Sequence, residues 1–405
     1  MRFRRALGVA AGVLFGTSFC CVAAGQSEKA APFVLEKGDR IVLLGNGFIE
    51  QERHHAHMET RLVSRHPDLD LSVRNLGWGG DTVRGTARTS GYQNPEGLAR
   101  LIKEVQDHKP TVLVLGYGMN ESFAGPAGLA AFIEDYEQLL AKLGPLKTRI
   151  VLLSPTLHED LGRPLPDPAE HNRDLEEYTM ALTKLTARRK ILFVDLFHPL
   201  RAAKKEDAEG RLTTNGILLT ETGYSVVARA LQEQLRLPAH CWRVELDASG
   251  KVLAAKGTKV EKVTIAEGVL RFRALDAVLP IARVGSVAGD ELVLRVVGLR
   301  PGMHVLSVDG TEVARAAAEQ WQKGVAITTG PAFDDLEKLR SAIVRRNELF
   351  YRRWRPFNDH SRHWDFMRGD YGLYDKEIAE QEQVIATARR PRPHSFELAA
   401  KGGAK

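Results

Sequence analysis

Between about residues 38 and 237 the chain alternates five times between a short apolar run and a longer stretch of helical spacing, and few folds accept that pattern. The apolar runs are Arg40 to Leu44, Leu71 to Asn75, Val112 to Gly116, Ile150 to Leu153 and Ile191 to Val194. They are too short for helices and largely unbroken by polar residues, which suits parallel strands covered on both faces. Helical patterns fill the gaps at Glu52 to Arg65, Pro95 to His108, Leu129 to Leu143, Pro168 to Arg188 and Glu221 to Leu235. Several have proline near the start or glycine near the end, where helix boundaries prefer them. The pattern predicts an α/β fold, a doubly wound three-layer domain around a parallel sheet, spanning residues 33–237. Ligands of such sheets bind beyond the carboxyl ends of the strands. Gly47, Gly80 and Asn120 fall there or shortly after.

Four segments in those positions carry more specific information. Gly45-Asn46-Gly47 follows the first apolar run, and Asn75-Leu76-Gly77-Trp78-Gly79-Gly80-Asp81-Thr82 closes the second. Gly118-Met119-Asn120-Glu121 follows the third, and Asn215-Gly216-Ile217-Leu218-Leu219-Thr220 with Gly223-Tyr224 opens the last helical pattern. In order and spacing they resemble the SGNH or GDSL-type hydrolase family, over roughly residues 38 to 237. The resemblance implies ester hydrolysis, with the Gly80 amide and the Asn120 carboxamide as oxyanion donors. It also implies a nucleophilic serine at position 47, an aspartate at 215 and a histidine at 218.

Those last three positions depart from the family. They hold Gly47, Asn215 and Leu218. In a Ser-His-Asp relay the imidazole takes the hydroxyl proton, and the carboxylate fixes its tautomer and stabilises the imidazolium. None of the three replacements can do its predecessor's work, so the standard acyl-enzyme is closed to this chain. The positions of the oxyanion donors still match, so binding of a carbonyl or an anion can outlast catalysis.

Other residues are candidates for a rebuilt site. His198 lies in Asp195-Leu196-Phe197-His198 after the fifth apolar run, and His158-Glu159 follows the fourth, with His171 further on. Thr82, Ser122 and Thr220 are hydroxyls near the matching blocks. A histidine beyond a strand end is as readily a loop hydrogen-bonder as a general base. For metal, His54, His55 and His57 fall on a helical pattern and His158, Glu159 and His171 could converge with them, but zinc needs three or four ligands with ordered partners. No metal and no cofactor is expected. Gly77 to Gly80 is explained by the oxyanion block and not by a Walker-type phosphate loop.

Met1 to Ala24 has Arg2, Arg4 and Arg5, an apolar run from Ala6 to Phe15 and a small-residue ending, the layout of a secretory signal peptide cleaved after Ala24. A single transmembrane anchor is the alternative, although the run is short and holds Gly8 and Gly12. Phe19 before Cys20 is too large for a lipidation box, so export without lipid, to the periplasm or outside the cell, is expected. Cleavage leaves Cys241 as the remaining cysteine, expected as a small buried packing residue. The net charge of +6 would drop by the three arginines of the leader, and the segment from Pro331 holds 15 basic against 12 acidic residues. Nothing in that balance resembles the one-faced basic footprint of a nucleic-acid binder.

Beyond residue 237 the pattern changes. Short runs at Val244 to Leu246, Val260 to Ile265, Val269 to Phe272, Glu291 to Val297, His304 to Val308 and Thr311 to Val313, with the hairpin signal Asp309-Gly310, predict a small β-sandwich over 242–327. It would serve as a structural accessory or bind glycan. Residues 331–398 read as a helical, aromatic-rich arm with Tyr351, Trp354, Phe357, Trp364 and Phe366 among many arginines, and Pro391 and Pro393, then Lys401 to Lys405, mark a disordered end. Such aromatics either clamp the arm onto the α/β domain or stack on sugar rings. The whole predicts an exported hydrolase-like protein whose ligand is a small-molecule or glycan ester. A non-catalytic glycan-binding role is the alternative.

Overall fold

The computed structural model describes residues 33–89, 95–355 and 371–401. The leader expected at Met1 to Ala24, with Cys20 and Cys21, lies outside the described residues, as do Phe357, Trp364 and Phe366. The five apolar runs form strands β1 (Arg40–Gly45), β2 (Ser72–Asn75), β3 (Val112–Gly116), β4 (Arg149–Leu153) and β5 (Leu192–Val194). All pair in parallel, in the order β2-β1-β3-β4-β5. Alternate residues feed two cores. Ile41, Leu43, Val112 and Val114 face one layer, while Val42, Leu44, Leu113 and Leu115 face the other. That period-two division is why both faces of the runs had to be apolar.

The helices of these layers are α1 (Gly47–His55), α2 (His57–Arg65), α3 (Pro95–Asp107), α4 (Gly125–Leu143), α5 (Ala169–Arg189), α6 (Phe197–Glu206) and α7 (Glu221–Gln234). The single helix expected over Glu52 to Arg65 is two. Ala56 sits between them in the left-handed region at φ 54°, and the buried Glu52 side chain accepts from the Met58 amide at 2.6 Å, satisfying an otherwise orphaned donor of α2. Helix α6, which carries His198, was not anticipated.

The β-rich part comprises β6 (Trp242–Asp247), β7 (Val252–Lys256), β8 (Thr258–Ala266), β9 (Val269–Asp276), β10 (Leu292–Val297), β11 (Met303–Val308), β12 (Thr311–Ala317), the short α8 (Ala318–Lys323) and β13 (Val325–Ile327). Two sheets, ordered β13-β10-β6-β7 and β12-β11-β14-β9-β8, share one core that includes Trp242, Leu294, Phe272, Leu306 and Phe396. Asp309 and Gly310 join β11 to β12 with positive φ at both residues, the conformation such a hairpin needs.

The C-terminal arm corrects the sequence reading. Helices α9 (Pro331–Trp354) and α10 (Tyr371–Ala388) are followed by β14 (His394–Ala400), which pairs with β9 and β11 in the middle of the second sheet. The end read as disordered therefore holds a central strand. Its burial alternates at His394, Phe396 and Leu398, a pattern already in the letters but overshadowed by the two prolines before it. The arm is fastened to the α/β part by buried charge. Arg346 pairs with Glu59 of α2, donates to the Val73 carbonyl of β2 and reaches Glu382 of α10 at 3.2 Å. Trp354 meets Trp78 edge to face at 5.9 Å, and Arg53 lies 3.7 Å over the Tyr351 ring.

Cys241, expected to be buried, is exposed. It precedes β6, and the large Trp242 beside it takes the buried position. Among the described residues no helix is long and apolar enough to cross a membrane.

Complete burial pushes the Glu52 carboxyl up to about 8, against the pull of the Met58 amide. A carboxyl raised in the fold favours the protonated folded state. The stability linked to it is present below the ordinary carboxylate range and lost as pH rises through about 8. Glu52→Gln keeps an acceptor for Met58 and cannot ionise. Thermal unfolding at pH 6 and pH 9 is expected to show the variant losing less stability over that interval than the wild type.

Candidate functional site

The four sequence blocks meet at the carboxyl end of the parallel sheet. Asn46 caps α1, its Oδ1 accepting from the Phe48 amide at 3.1 Å, and Gly47 is the first helical residue. The second block lies directly on this turn. Asn75 Nδ2 donates to the Ile49 carbonyl at 2.6 Å, and Asn75 Oδ1 accepts from the Gly77 amide at 2.8 Å. A side chain at Gly77 would place its Cβ 2.2 Å from the Glu50 nitrogen, so glycine is what allows the approach. Glu50 supports the block from below and is ion-paired with Arg355, whose guanidinium lies 3.7 Å over the Trp78 ring.

The second and third blocks are stapled together. Glu121 accepts from the Val83 amide and the Gly118 amide, each at 2.9 Å, and burial pushes its carboxyl up to about 7 against those bonds. Asn120 Nδ2 donates to the Asp81 carbonyl at 2.6 Å, so its carboxamide lies against the residue after Gly80. The Asp81 side chain is buried and held by Arg88 at 2.7 Å and Tyr117 at 3.2 Å. Gly79 and Gly80 are exposed, and no hydrogen bond occupies the Gly80 amide among the described residues. A free backbone donor beside a fixed carboxamide can hold a carbonyl oxygen or a small anion.

The structure brings positions 47 and 218 together. A Cβ at Gly47 would lie 3.9 Å from Leu218 Cδ2 and 3.8 Å from Gly79 Cα. Hydrocarbon and backbone therefore stand where the resemblance calls for a hydroxyl facing an imidazole. Asn215 serves its own loop, its Oδ1 accepting from the amides of Ile217 at 3.1 Å and Leu218 at 2.8 Å. Beneath it, buried Glu159 accepts from the Leu212 amide at 3.1 Å and from the amide and hydroxyl of Thr213, each at 2.6 Å. Lys204 pairs with the same carboxylate at 2.9 Å.

The remaining candidates divide. His158 borders this loop, since a Cβ at Gly216 would come 3.1 Å from its ring. Its Nδ1 lies 2.9 Å from His171 Nδ1, and His171 Nε2 lies 2.8 Å from Ser122 Oγ. His198 is not drawn in. It sits on α6 between Asp195 at 2.6 Å and Glu176 at 3.1 Å, in a surface ion network that also holds Arg201, and no described hydrogen bond links it to Gly47, Gly80 or Asn120. The Asp195-x-x-His198 spacing thus makes a pair between the residue before the N-cap of α6 and its first turn. Thr82 bonds to Thr86, and Thr220 caps α7 by accepting from the Gly223 amide at 3.2 Å. Of the histidines weighed for metal, His55 stacks on Tyr224 at 4.6 Å, and burial pushes His57 down to about 3. The break at Ala56 separates it from His54. No group of three or more His, Cys, Asp or Glu that could hold a metal ion occurs among the described residues. Sequence reasoning missed Glu50, Arg355 and the staple at Glu121. Of these, the glutamate in Gly118-Met119-Asn120-Glu121 was visible as part of a motif, whereas the Glu50–Arg355 pair spans most of the chain and left no local signal.

A parallel five-stranded sheet with these blocks at its carboxyl end defines a hydrolase-type α/β scaffold. Residues 39–226 match the model of the GDSL-like Lipase/Acylhydrolase family. Over its greater length the chain is similar to a gut microbial diltiazem-metabolizing enzyme, with a TM-score of 0.72 and 17% identity, covering 91% of this chain and 100% of that one. That likeness shows that the fold is shared well beyond the α/β part. A catalytic mutant of Axe2, an acetylxylan esterase from Geobacillus stearothermophilus, matches at 19% identity with a TM-score of 0.41, over 50% of this chain and 95% of that one. No curated protein matches the chain.

Glu159 is expected to set the order of the loop that carries positions 215 and 218. Glu159→Gln keeps the shape but loses charge and one acceptor. Leaving a buried donor unpaired costs about 1–3 kcal/mol. The variant is expected to unfold at lower denaturant, with faster hydrogen exchange at the Leu212 and Thr213 amides; unchanged exchange there would deny the role.

Proposed function

We propose that this protein recognises acyl esters, of carbohydrates in particular, on a GDSL-type scaffold that has given up acyl-enzyme turnover. The observation that carries the reading is the meeting of Gly47 with Leu218, where the direction of a side chain at 47 leads to a methyl group 3.9 Å away. No proton acceptor stands there for a nucleophile, and no nucleophile stands there to be activated. The Gly80 amide and the Asn120 carboxamide support retention of a site for the ester carbonyl. Gly47 has an ordinary backbone conformation and space for a Cβ, so the loss of the serine has not been accompanied by closure of its place.

In this reading hydrolysis is limited to what oxyanion stabilisation and binding alone supply, about 10³ to 10⁴-fold over water, as in hydrolases stripped of their triads. Export is part of the reading and rests on the residues from Met1 to Ala24. A secreted or periplasmic protein would meet acylated polysaccharide where it is abundant.

Restoration tests the claim. Gly47→Ser, Asn215→Asp and Leu218→His introduced together are expected to raise hydrolysis of 4-nitrophenyl acetate by about 10²-fold or more. Adding Asn120→Ala should remove about 10²-fold of it, the loss usual for one oxyanion donor. A wild type that already forms an acyl-enzyme, detected as a mass increase on intact protein, would contradict the reading. So would a correctly folded triple variant with no gain.

A further inference from the structure

The outer face of the second β-sheet is used neither by the core nor by the acyl cradle. Strands β9, β14 and β11 lie side by side there, and their alternate residues Leu270, Phe272, Phe396, Leu398 and Leu306 enter the core. Successive side chains of a strand point to opposite faces, so the residues between these form the outer face. The register fixes its layout. Arg273 stands opposite Ser395, and Arg271, Glu397 and Ser307 stand in line across the three strands.

The edge strand β8 adds a further cation. Its pairing with β9 shifts between Glu261 and Thr264, and inside that bulge Lys262 takes the left-handed region at φ 53°. A bulge re-aims the side chain it carries, and a positive φ is unfavourable for a residue with a Cβ. Val263, the other residue of the bulge, packs against the core. Lys262 instead joins Arg271, Arg273, Ser307 and Ser395 around an open cavity of about 360 Å³ on the outer face.

Charge on this face is not balanced. Lys259, Lys262, Arg271 and Arg273 meet two carboxylates, and both of those are already committed. Glu397 accepts from Arg271 at 3.0 and 3.2 Å, and Glu261, opposite Arg273, pairs with Lys259 at 2.6 Å. Glu312, opposite Ser307, is held by Arg315 at 3.1 and 3.0 Å. Arg273 and Lys262 are left without a hydrogen bond or ion pair among the described residues, and the hydroxyls of Ser307 and Ser395 likewise make no described hydrogen bond.

We propose that this face binds an acidic polysaccharide, with an anionic group of the chain held by Arg273 and Lys262 and its sugar hydroxyls met by Ser307 and Ser395. Two surplus cations beside two free hydroxyls match a chain that carries acid groups and hydroxyls together. Nucleic acid fits less well, since the face offers no aromatic ring for a base and few cations for a phosphate backbone. The role of the site rests on the acyl-ester reading, because it would hold the acidic chain whose acyl groups the cradle recognises. Binding to the face does not depend on that reading.

Calorimetry on the full chain at about 50 mM salt, where screening is weak, tests it with polygalacturonate, chondroitin sulfate, dextran and single-stranded DNA. Saturable binding of polygalacturonate is expected, with none of dextran. Arg273→Ala and Lys262→Ala should each weaken it about fivefold, the value of one exposed charge contact, and the two together should abolish it. Lys103→Ala removes an exposed cation from α3 and should change nothing, as should Asn120→Ala. Unaltered melting temperatures establish that the variants fold. Binding of chondroitin sulfate in place of polygalacturonate keeps the site and assigns sulfate as the group recognised. Failure of both acidic chains to bind, equal binding of dextran or DNA, or equal affinity in the double variant overturns the proposal. If acetylated polygalacturonate binds no more tightly than the bare chain, the acyl cradle fails and this face stands.

Discussion

The close approach of the first turn of α1 to the segment after β2 is the contact on which the rest of the site depends. Backbone meets backbone there without side chains between, since Gly77 lies against the Glu50 nitrogen and Asn75 bonds to the Ile49 carbonyl. This contact sets Gly79 beside Gly47, and Asn120 is bonded to the Asp81 carbonyl two residues further on. It is braced from the far end of the chain by the Arg355–Glu50 ion pair and the stacking of Arg355 on Trp78. Arginine suits that place because its planar cation can stack and pair at once. The C-terminal arm is therefore part of the support of the site as well as of the fold.

Much of this was legible in the sequence. Strand and helix alternation gave the parallel sheet because strands covered on both faces have to be apolar throughout, as β3 is. The blocks around Gly47, Gly80 and Asn120 could be found because they are local in sequence and sit at strand ends. What escaped detection was of two kinds. The break at Ala56 and the strand at His394–Ala400 depend on tertiary partners, a buried Glu52 in one case and two waiting strands in the other. His158 was a candidate by its position after β4, but its pairing with His171 and Ser122 joins three separate segments. Nothing local in the sequence announces such a relay, whereas Asp195-x-x-His198 looked like a pair and proved to be a surface one.

The site separates two properties that a serine hydrolase normally combines. Stabilising a carbonyl oxygen needs fixed donors, and here the Glu121 staple and the Asn120–Asp81 bond hold the segments that carry Gly80 and Asn120 in place. Forming a covalent intermediate needs a nucleophile and a base in contact, and the positions that would supply them hold Gly47 and Leu218. The surrounding loop is ordered by contacts of its own. Asn215 caps its own turn, and Glu159 gathers the backbone beneath. The order of the loop therefore comes from its own hydrogen bonds and does not depend on a relay through positions 47, 215 and 218.

The most direct measurement of that claim is a crystal structure of the wild-type protein soaked with an intact acetylated ligand. The account predicts an uncleaved ester with its carbonyl oxygen in hydrogen-bonding distance of the Gly80 amide and Asn120 Nδ2, and no covalent density on any side chain. An acyl adduct on the protein, or a ligand seated away from those two donors, would contradict it.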